Sequence, residues 1–68
     1  MIKCHLSRIL GEKKLKISDV ARHTGLHRGS ITRLYKETAA RIEIDVMDKL
    51  CQFLECPVGE LFEYTDDE

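Results

Sequence analysis

The sequence has little proline, few aromatic residues and no long apolar run. It contains one proline and no tryptophan, and no apolar run approaches the roughly 18 residues that a membrane-spanning helix needs. Its β-branched residues do not alternate with polar ones, so strands have little to build on. No secretory signal peptide opens the chain. We therefore predict a cytoplasmic protein without membrane association.

Metal-binding and catalytic motifs are also missing. The three cysteines are an odd number, which in a chain without a secretory signal is typical of reduced thiols in small core spaces. Zinc ligation by Cys4, His5, Cys51 and Cys56 is disfavoured because neither a CxxC nor an HxxxH pair occurs. GxSxG, HExxH, P-loop and GxGxxG patterns are absent. We predict no enzymatic activity, no metal, no cofactor and no small-molecule substrate.

The length of the chain limits it to one small domain. A domain of 68 residues buries only about 60% of the surface that its unfolded chain exposes. The composition, 43% hydrophobic and 34% charged, is ordinary for a globular protein. We predict a single domain over residues 1–64, followed by an acidic and frayed tail over residues 65–68.

The charges are sorted along the chain. The net charge of -1 argues against a nucleic-acid partner at first sight. Residues 1–42, however, contain ten basic and three acidic side chains, a net of +7, whereas residues 43–68 contain one basic and nine acidic side chains, a net of -8. Because screening confines electrostatic fields to about 8 Å at physiological salt, a basic face can bind phosphate while an acidic face points away.

Hydrophobic periodicity indicates helices throughout, so the predicted fold class is all-α. Apolar residues recur at three- and four-residue spacing in five segments. The predicted helices cover about residues 2–13, 18–24, 28–36 and 44–54, with a short fifth helix that follows Pro57 and includes Val58, Leu61 and Phe62. Residues 37–43 lack a period and are expected to form a loop.

Local signals place the ends and faces of these helices. Ser18 is the expected N-cap of the second helix, and Gly25 is its expected left-handed end. The third helix is expected to turn Ile31, Leu34 and Tyr35 to the core. The predicted core stripe of the fourth helix consists of Ile44, Met47, Leu50, Cys51 and Leu54.

Residues 17–36 fit two helices joined by a tight turn. Such helices pack at a steep angle only if the crossing residue is small, the turn tolerates positive φ and apolar residues seal the corner. Ala21 and Gly25 meet the first two demands. The third is met by Val20, Leu26, Ile31 and Leu34. This combination resembles the helix-turn-helix of the Cro and lambda-repressor type, also called the xenobiotic-response-element family.

The resemblance extends over about residues 3–64, because the fourth helix and the closing Pro-Val-Gly-Glu-Leu-Phe are also similar to the family's remaining helices. It implies a compact five-helix transcriptional regulator of bacterial or phage type that binds operator DNA as a homodimer, and we expect a repressor. The sequence departs from the family twice. His27 stands where serine or threonine often caps the recognition helix, which we expect to weaken the cap by about 1 kcal/mol. The usual glutamine that opens helix 2 is absent, which removes a phosphate contact.

The outward arc of the third helix carries the predicted base-reading residues. They are Arg28, Gly29, Thr32 and Arg33, with Lys36 on the same arc and no acidic residue among them. Arg28 and Arg33 suit this role because arginine can bond guanine O6 and N7 in a bidentate manner. Thr32 is expected to contact a thymine methyl or a phosphate, and Gly29 to let the backbone come close. The alternatives are solvated arginines and an ordinary first-turn glycine.

Phosphate contacts and a dimer surface complete the predicted site. The expected phosphate contacts are His27, Ser30, Lys36, Thr38 and Arg41. Val46 and Phe53 share one flank of the fourth helix and, with Phe62 or Tyr64, would form a patch for self-association; the alternative is that Val46 and Phe53 pack on the fifth helix. A two-fold dimer places two recognition helices about 34–36 Å apart, one turn of DNA.

A protein-interaction module is the competing interpretation of the same fold. An antitoxin-like or anti-repressor protein would use the acidic half to bind another protein, since a fold does not by itself fix a function. Salt-sensitive binding to nonspecific duplex DNA separates the two, because only the regulator should show it.

Overall fold

The computed structural model describes residues 1–66, which form five helices and a two-stranded antiparallel sheet. The order is β1 (Ile2–Cys4), α1 (Leu6–Lys13), α2 (Ile17–Thr24), α3 (Arg28–Tyr35), α4 (Ile44–Leu54), α5 (Val58–Leu61) and β2 (Phe62–Tyr64). The fold is therefore mostly helical, and the prediction of an all-α chain is wrong in this detail. No helix within the described residues is long and apolar enough to cross a membrane.

The sheet joins the two ends of the domain. Ile2 lies opposite Tyr64 and Cys4 opposite Phe62, and the amide of His5 donates to the carbonyl of Leu61 at 2.8 Å. The first helix consequently begins at Leu6 instead of residue 2, and Phe62 belongs to a strand instead of the fifth helix. Strands of three residues are too short to show alternation, and only their pairing across the whole chain defines them.

The pairing continues beyond the two strands. The amide of Thr65 donates to the carbonyl of Met1 at 2.9 Å, and the Met1 ammonium donates to the carbonyl of Thr65. The first residue of the predicted frayed tail is thus hydrogen-bonded to the opposite end of the domain. Asp67 and Glu68 lie outside the described residues, and fraying there stays a prediction.

The core lies where the five helices meet beneath the sheet. Its most deeply buried side chains are Leu6, Leu10, Val20, Ile31, Leu50, Leu54 and Leu61. Two residues predicted for the core lie outside it: Ile44 is 77% exposed and Tyr35 is 38% exposed. Both predictions are wrong because periodicity shows which face of a helix is apolar but not whether another element covers it.

Helix ends rest largely on left-handed residues other than glycine. Gly25 has φ 75° as predicted, but Lys14, Glu37 and Glu55 also have positive φ, between 55° and 57°. After each of these three, the next amide returns to the carbonyl five residues earlier, which is the Schellman ending. The three hydrogen bonds run from Leu15 to Leu10 at 2.9 Å, from Thr38 to Arg33 at 2.9 Å and from Cys56 to Cys51 at 3.2 Å.

The beginning of α2 differs from its prediction. The helix starts at Ile17 with Lys16 as N-cap, so the prediction of Ser18 in that role is wrong. The reason is Asp19, whose carboxylate accepts the amide N–H of Lys16 at 2.9 Å and thereby stabilises an N-cap two residues earlier. This hydrogen bond, assisted by the charge of Arg22, lowers the pKa of Asp19 below its usual value.

Candidate nucleic-acid interface

Helices α2 and α3 form a helix-turn-helix with the corner that the sequence predicts. Gly25 closes α2, and its amide donates to the carbonyl of Ala21 at 2.9 Å. The Thr24 hydroxyl accepts the amide of Leu26 at 3.2 Å and so fixes the turn. Val20 and Ile31 are fully buried at the corner, where Ala21 and Leu26 pack against the core.

His27 caps the helix that carries the predicted base readers. Its Nδ1 accepts the amide N–H of Gly29 at 3.1 Å, which satisfies one of the free donors at the start of α3. Because a backbone N–H can only donate, a neutral His27 in this arrangement carries its proton on Nε2, and that nitrogen is a hydrogen-bond donor. The position therefore keeps a capping acceptor despite its departure from serine or threonine.

Gly29 occupies a crowded place in the first turn of α3. A Cβ at this position would lie 3.1 Å from Nδ1 of His27 and 3.5 Å from a terminal nitrogen of Arg33. Arg33 thus reaches back over the start of the helix, as long helical side chains do, and its guanidinium lies 3.5 Å from the Ser30 hydroxyl. The lack of a side chain at position 29 therefore has a structural explanation, the crowding by His27, besides the predicted close approach of the backbone to DNA.

Arg28 lines a shallow depression that sequence analysis did not assign to the site. The depression also contains Lys16 and Ser18 from the start of α2, and Tyr35 from the end of α3. The sequence signal was Asp19, because a carboxylate three residues after Lys16 has the spacing of a side chain that caps a helix starting there. Lys16 and Ser18 were missed because the N-cap of α2 was predicted at Ser18, two residues after its position at Lys16.

A second depression lies on the other flank of α3. Ser30 and Arg33 line it together with Arg41 from the loop that follows the helix, and Glu43 contributes an acidic side chain. The structure thus brings three predicted contact residues together here. Thr32 is partly buried on the helix between the two depressions, and its hydroxyl donates to the carbonyl of Arg28 at 2.9 Å.

The remaining predicted phosphate contacts follow the C-terminal end of α3. Lys36 is exposed at the helix end, and the hydroxyl of Thr38 lies 3.5 Å from the carbonyl of Arg33. The intervening Glu37 places its carboxylate within 3.1 Å of the amide of Cys4, which donates to it. This hydrogen bond links the side chain of Glu37, the acidic neighbour of Lys36, to β1.

The four residues predicted for self-association have different surroundings. Val46 is partly buried beside Arg33 and Arg41, whereas the ring of Phe53 stacks on His23 of α2 with centroids 5.4 Å apart. Phe62 is partly buried on the sheet, and Tyr64 is 71% exposed. The exposed apolar residue next to Tyr64 is Ile2, which the sequence had placed in a helix.

These features define the class of the protein: it is a helix-turn-helix DNA-binding domain. The family model of the Cro/C1-type HTH DNA-binding domain matches residues 5–67, and the chain belongs to this family. The chain is also similar to the "Uncharacterized HTH-type transcriptional regulator YozG" of Bacillus subtilis (strain 168), at 25% identity over 60 residues. That match covers 88% of this chain and 71% of the relative.

Proposed function

We propose that this protein is a dimeric transcriptional repressor that inserts α3 into the major groove of an operator. The observation that carries the proposal is the start of α3, where Arg28 precedes Gly29 and the guanidinium of Arg33 reaches back to it, and where no residue of the helix is acidic. Recognition helices of this motif contact base edges with their N-terminal residues, and arginine is the side chain that most often reads guanine.

Within α3 the roles divide between bases and backbone approach. Arg28 and Arg33 are the proposed guanine readers, each with about 1–3 kcal/mol of discrimination. The hydroxyl of Thr32 is engaged by the carbonyl of Arg28, so its methyl group is the part that suits a thymine methyl. Gly29 adds no side chain between the two arginines and lets the backbone come close to the DNA.

Phosphate contacts are proposed on both sides of the recognition helix. On one side they come from His27 through Nε2, and from Lys16 and Ser18 at the start of α2, beside Arg28. On the other side they come from the ends of α3 and the following loop: Ser30, Lys36, Thr38 and Arg41. Such contacts fix the position of a protein on the duplex and add affinity without sequence preference.

The sorted charges support this orientation. The basic segment, residues 1–42, contains both helices of the motif, whereas the acidic segment, residues 43–68, contains α4, α5 and β2. A duplex attracts the first segment and repels the second, so the domain approaches DNA with α3 in front. Repression requires only that the protein occupy the operator, whereas activation requires a further surface for another protein.

We propose that the second copy of the chain in the dimer packs against the apolar face of the sheet. Side chains alternate along a strand, so Ile2, Cys4, Phe62 and Tyr64 share one face, whose Cys4 end is buried on the core, while Lys3 and Glu63 share the other. On the charged face Oε1 of Glu63 lies 2.7 Å from Nε2 of His5. On the apolar face Ile2 is 65% and Tyr64 71% exposed beside a hollow that Ile2 and Phe62 line. A two-stranded sheet is marginal alone, and covering this face would stabilise it.

Selection of bound sequences from a random duplex pool tests the proposed function. The full chain should enrich one sequence family with two half-sites about 10–10.5 base pairs apart, because a two-fold dimer spans one turn of DNA. Enrichment of a single half-site would remove the dimer from the proposal. Absence of any enrichment, together with absence of salt-sensitive binding to nonspecific duplex, would favour the protein-interaction module instead.

A further inference from the structure

Cys51 and Cys56 lie at the C-terminal end of α4, where the chain makes a Schellman ending. Glu55 has φ 55°, and the amide of Cys56 donates to the carbonyl of Cys51 at 3.2 Å. This ending frequently brings two side chains into contact, that of the third residue before the last helical residue and that of the second residue after it. Cys51 and Cys56 occupy these two positions, so the geometry pairs their thiols.

The two thiols are accessible from solution. Both are free and only partly buried, and they line an open groove with apolar neighbours from α4 and α5. These neighbours include Ile44, Met47 and Val58. Cys4 is also free but is buried at the end of β1, so it offers an internal comparison for accessibility. A small reagent therefore reaches the pair more readily than it reaches Cys4.

The backbone around the pair fits a covalent link between the sulfur atoms. A disulfide needs Cα atoms about 4.4–6.8 Å apart, with side chains that point toward each other. The hydrogen bond between the backbones of Cys51 and Cys56 keeps their Cα atoms close, and the Schellman ending turns the side chains together.

We propose that Cys51 and Cys56 form a dithiol site that low-molecular-weight disulfides oxidise reversibly to an intramolecular disulfide. One protein thiolate attacks the reagent, forms a mixed disulfide and releases the first reagent thiol. The second protein thiolate then attacks the protein sulfur of that mixed disulfide and releases the second reagent thiol. In total two S–H bonds break and one protein S–S bond forms, while two electrons and two protons pass to the reagent, which leaves as two thiols.

The pH dependence of the exchange follows from the surroundings of Cys56. Burial raises the pKa of the Cys56 thiol, and the neighbouring Cys51 and the Glu60 carboxylate act in the same direction, while the charge of Lys13 acts in the opposite one. Because the thiolate is the reactive form, the exchange should accelerate as the pH rises above neutral.

Mass spectrometry of the native full chain tests the proposal directly. The protein is treated with oxidised glutathione, its remaining thiols are alkylated, and trypsin then cuts after lysine and arginine. No lysine or arginine follows Lys49, so both thiols leave on one peptide over residues 50–68, whereas Cys4 leaves on residues 4–8. We expect the 50–68 peptide to lose two hydrogens, to resist alkylation and to regain both thiols on reduction, while Cys4 remains alkylated.

Three variants separate a paired site from independent thiols. Cys51→Ser and Cys56→Ser should each stop at a mixed disulfide with one glutathione, whereas the matched control Cys4→Ser should leave oxidation of the 50–68 peptide unchanged. Two glutathione adducts on the wild-type peptide, disulfide-linked dimers or full alkylation of both cysteines would overturn the proposal. The readout is a mass and needs no DNA, so it is independent of the proposed function.

Discussion

Nδ1 of His27 accepts the amide N–H of Gly29 at 3.1 Å, and a Cβ at Gly29 would lie the same 3.1 Å from that nitrogen. The cap of the recognition helix and the absence of a side chain two residues later therefore depend on each other. Two residues that appear separate in the sequence, a weak cap and a first-turn glycine, form one structural unit at the place where α3 is proposed to read bases.

The first prediction concerns the cap alone. Replacing His27 with alanine removes the acceptor for the Gly29 amide and should lower the free energy of unfolding by about 1 kcal/mol. His27→Ser restores an acceptor of the preferred type and should recover the loss. Urea unfolding followed by circular dichroism measures both variants. Equal stability of His27→Ala and the wild type would show that the imidazole hydrogen bond contributes nothing.

A double-mutant cycle tests whether the two positions are coupled. Gly29→Ala gains about 1 kcal/mol of helix propensity but crowds the His27 ring, so in the wild type the two effects should largely cancel. In the His27→Ser background the crowding is gone, and the same substitution should stabilise by about 1 kcal/mol. Identical effects of Gly29→Ala in both backgrounds would mean that the positions are independent.

The prediction for the turn between α2 and α3 uses two glycines with equal space around them. A Cβ at Gly11 or at Gly25 would meet no atom within 4 Å, but only Gly25 has a positive φ, 75°. Gly25→Ala should therefore destabilise by about 1–2 kcal/mol through backbone conformation alone. The control Gly11→Ala, inside α1, should stabilise by up to about 1 kcal/mol. Thermal unfolding of both variants checks the opposite signs, and a shared sign would contradict the account of the turn.

How much of this structure the sequence predicts depends on how local each signal is. Gly25 and the apolar residues around it lie within a few positions of one another, and the corner that they predict is present. The sheet depends on residues about sixty positions apart, so no local pattern indicates it. No glycine marks the left-handed ends at Lys14, Glu37 and Glu55, where the conformation goes with backbone hydrogen bonds that the sequence does not show.

The same distinction applies to the candidate site. Periodicity suffices to place Arg28 and Arg33 on the outward arc of α3, because that arc is defined within one helix. Lys16 and Ser18 join Arg28 only through the packing of α2 on α3, and they were missed because the predicted N-cap was two residues too late. Ile2 likewise lies beside Tyr64 only because the two strands pair, and this neighbourhood of two exposed apolar side chains is not visible in either local segment.

The prediction for self-association concerns the apolar face of the sheet. Replacing Ile2 and Tyr64 together with serine should weaken dimerisation, because both side chains are largely exposed on this face. The control is Ile44→Ser, which removes an equally exposed apolar side chain from α4. Sedimentation velocity measures the dimer fraction. If the control dissociates the dimer and the double variant does not, the interface lies on α4 instead of the sheet.

The ratio of affinity for the selected operator to affinity for a scrambled duplex, measured by fluorescence anisotropy at one salt concentration, tests the reading role of α3 most directly. Arg28→Ala and Arg33→Ala should each lower this ratio by about fivefold to 150-fold, equivalent to about 1–3 kcal/mol, while circular dichroism stays unchanged. Lys36→Ala should weaken binding to both duplexes alike, as a phosphate contact does. The control Lys49→Ala, in the acidic segment beside Asp45, should change neither the ratio nor the affinity for either duplex. An unchanged ratio in both arginine variants would contradict the account.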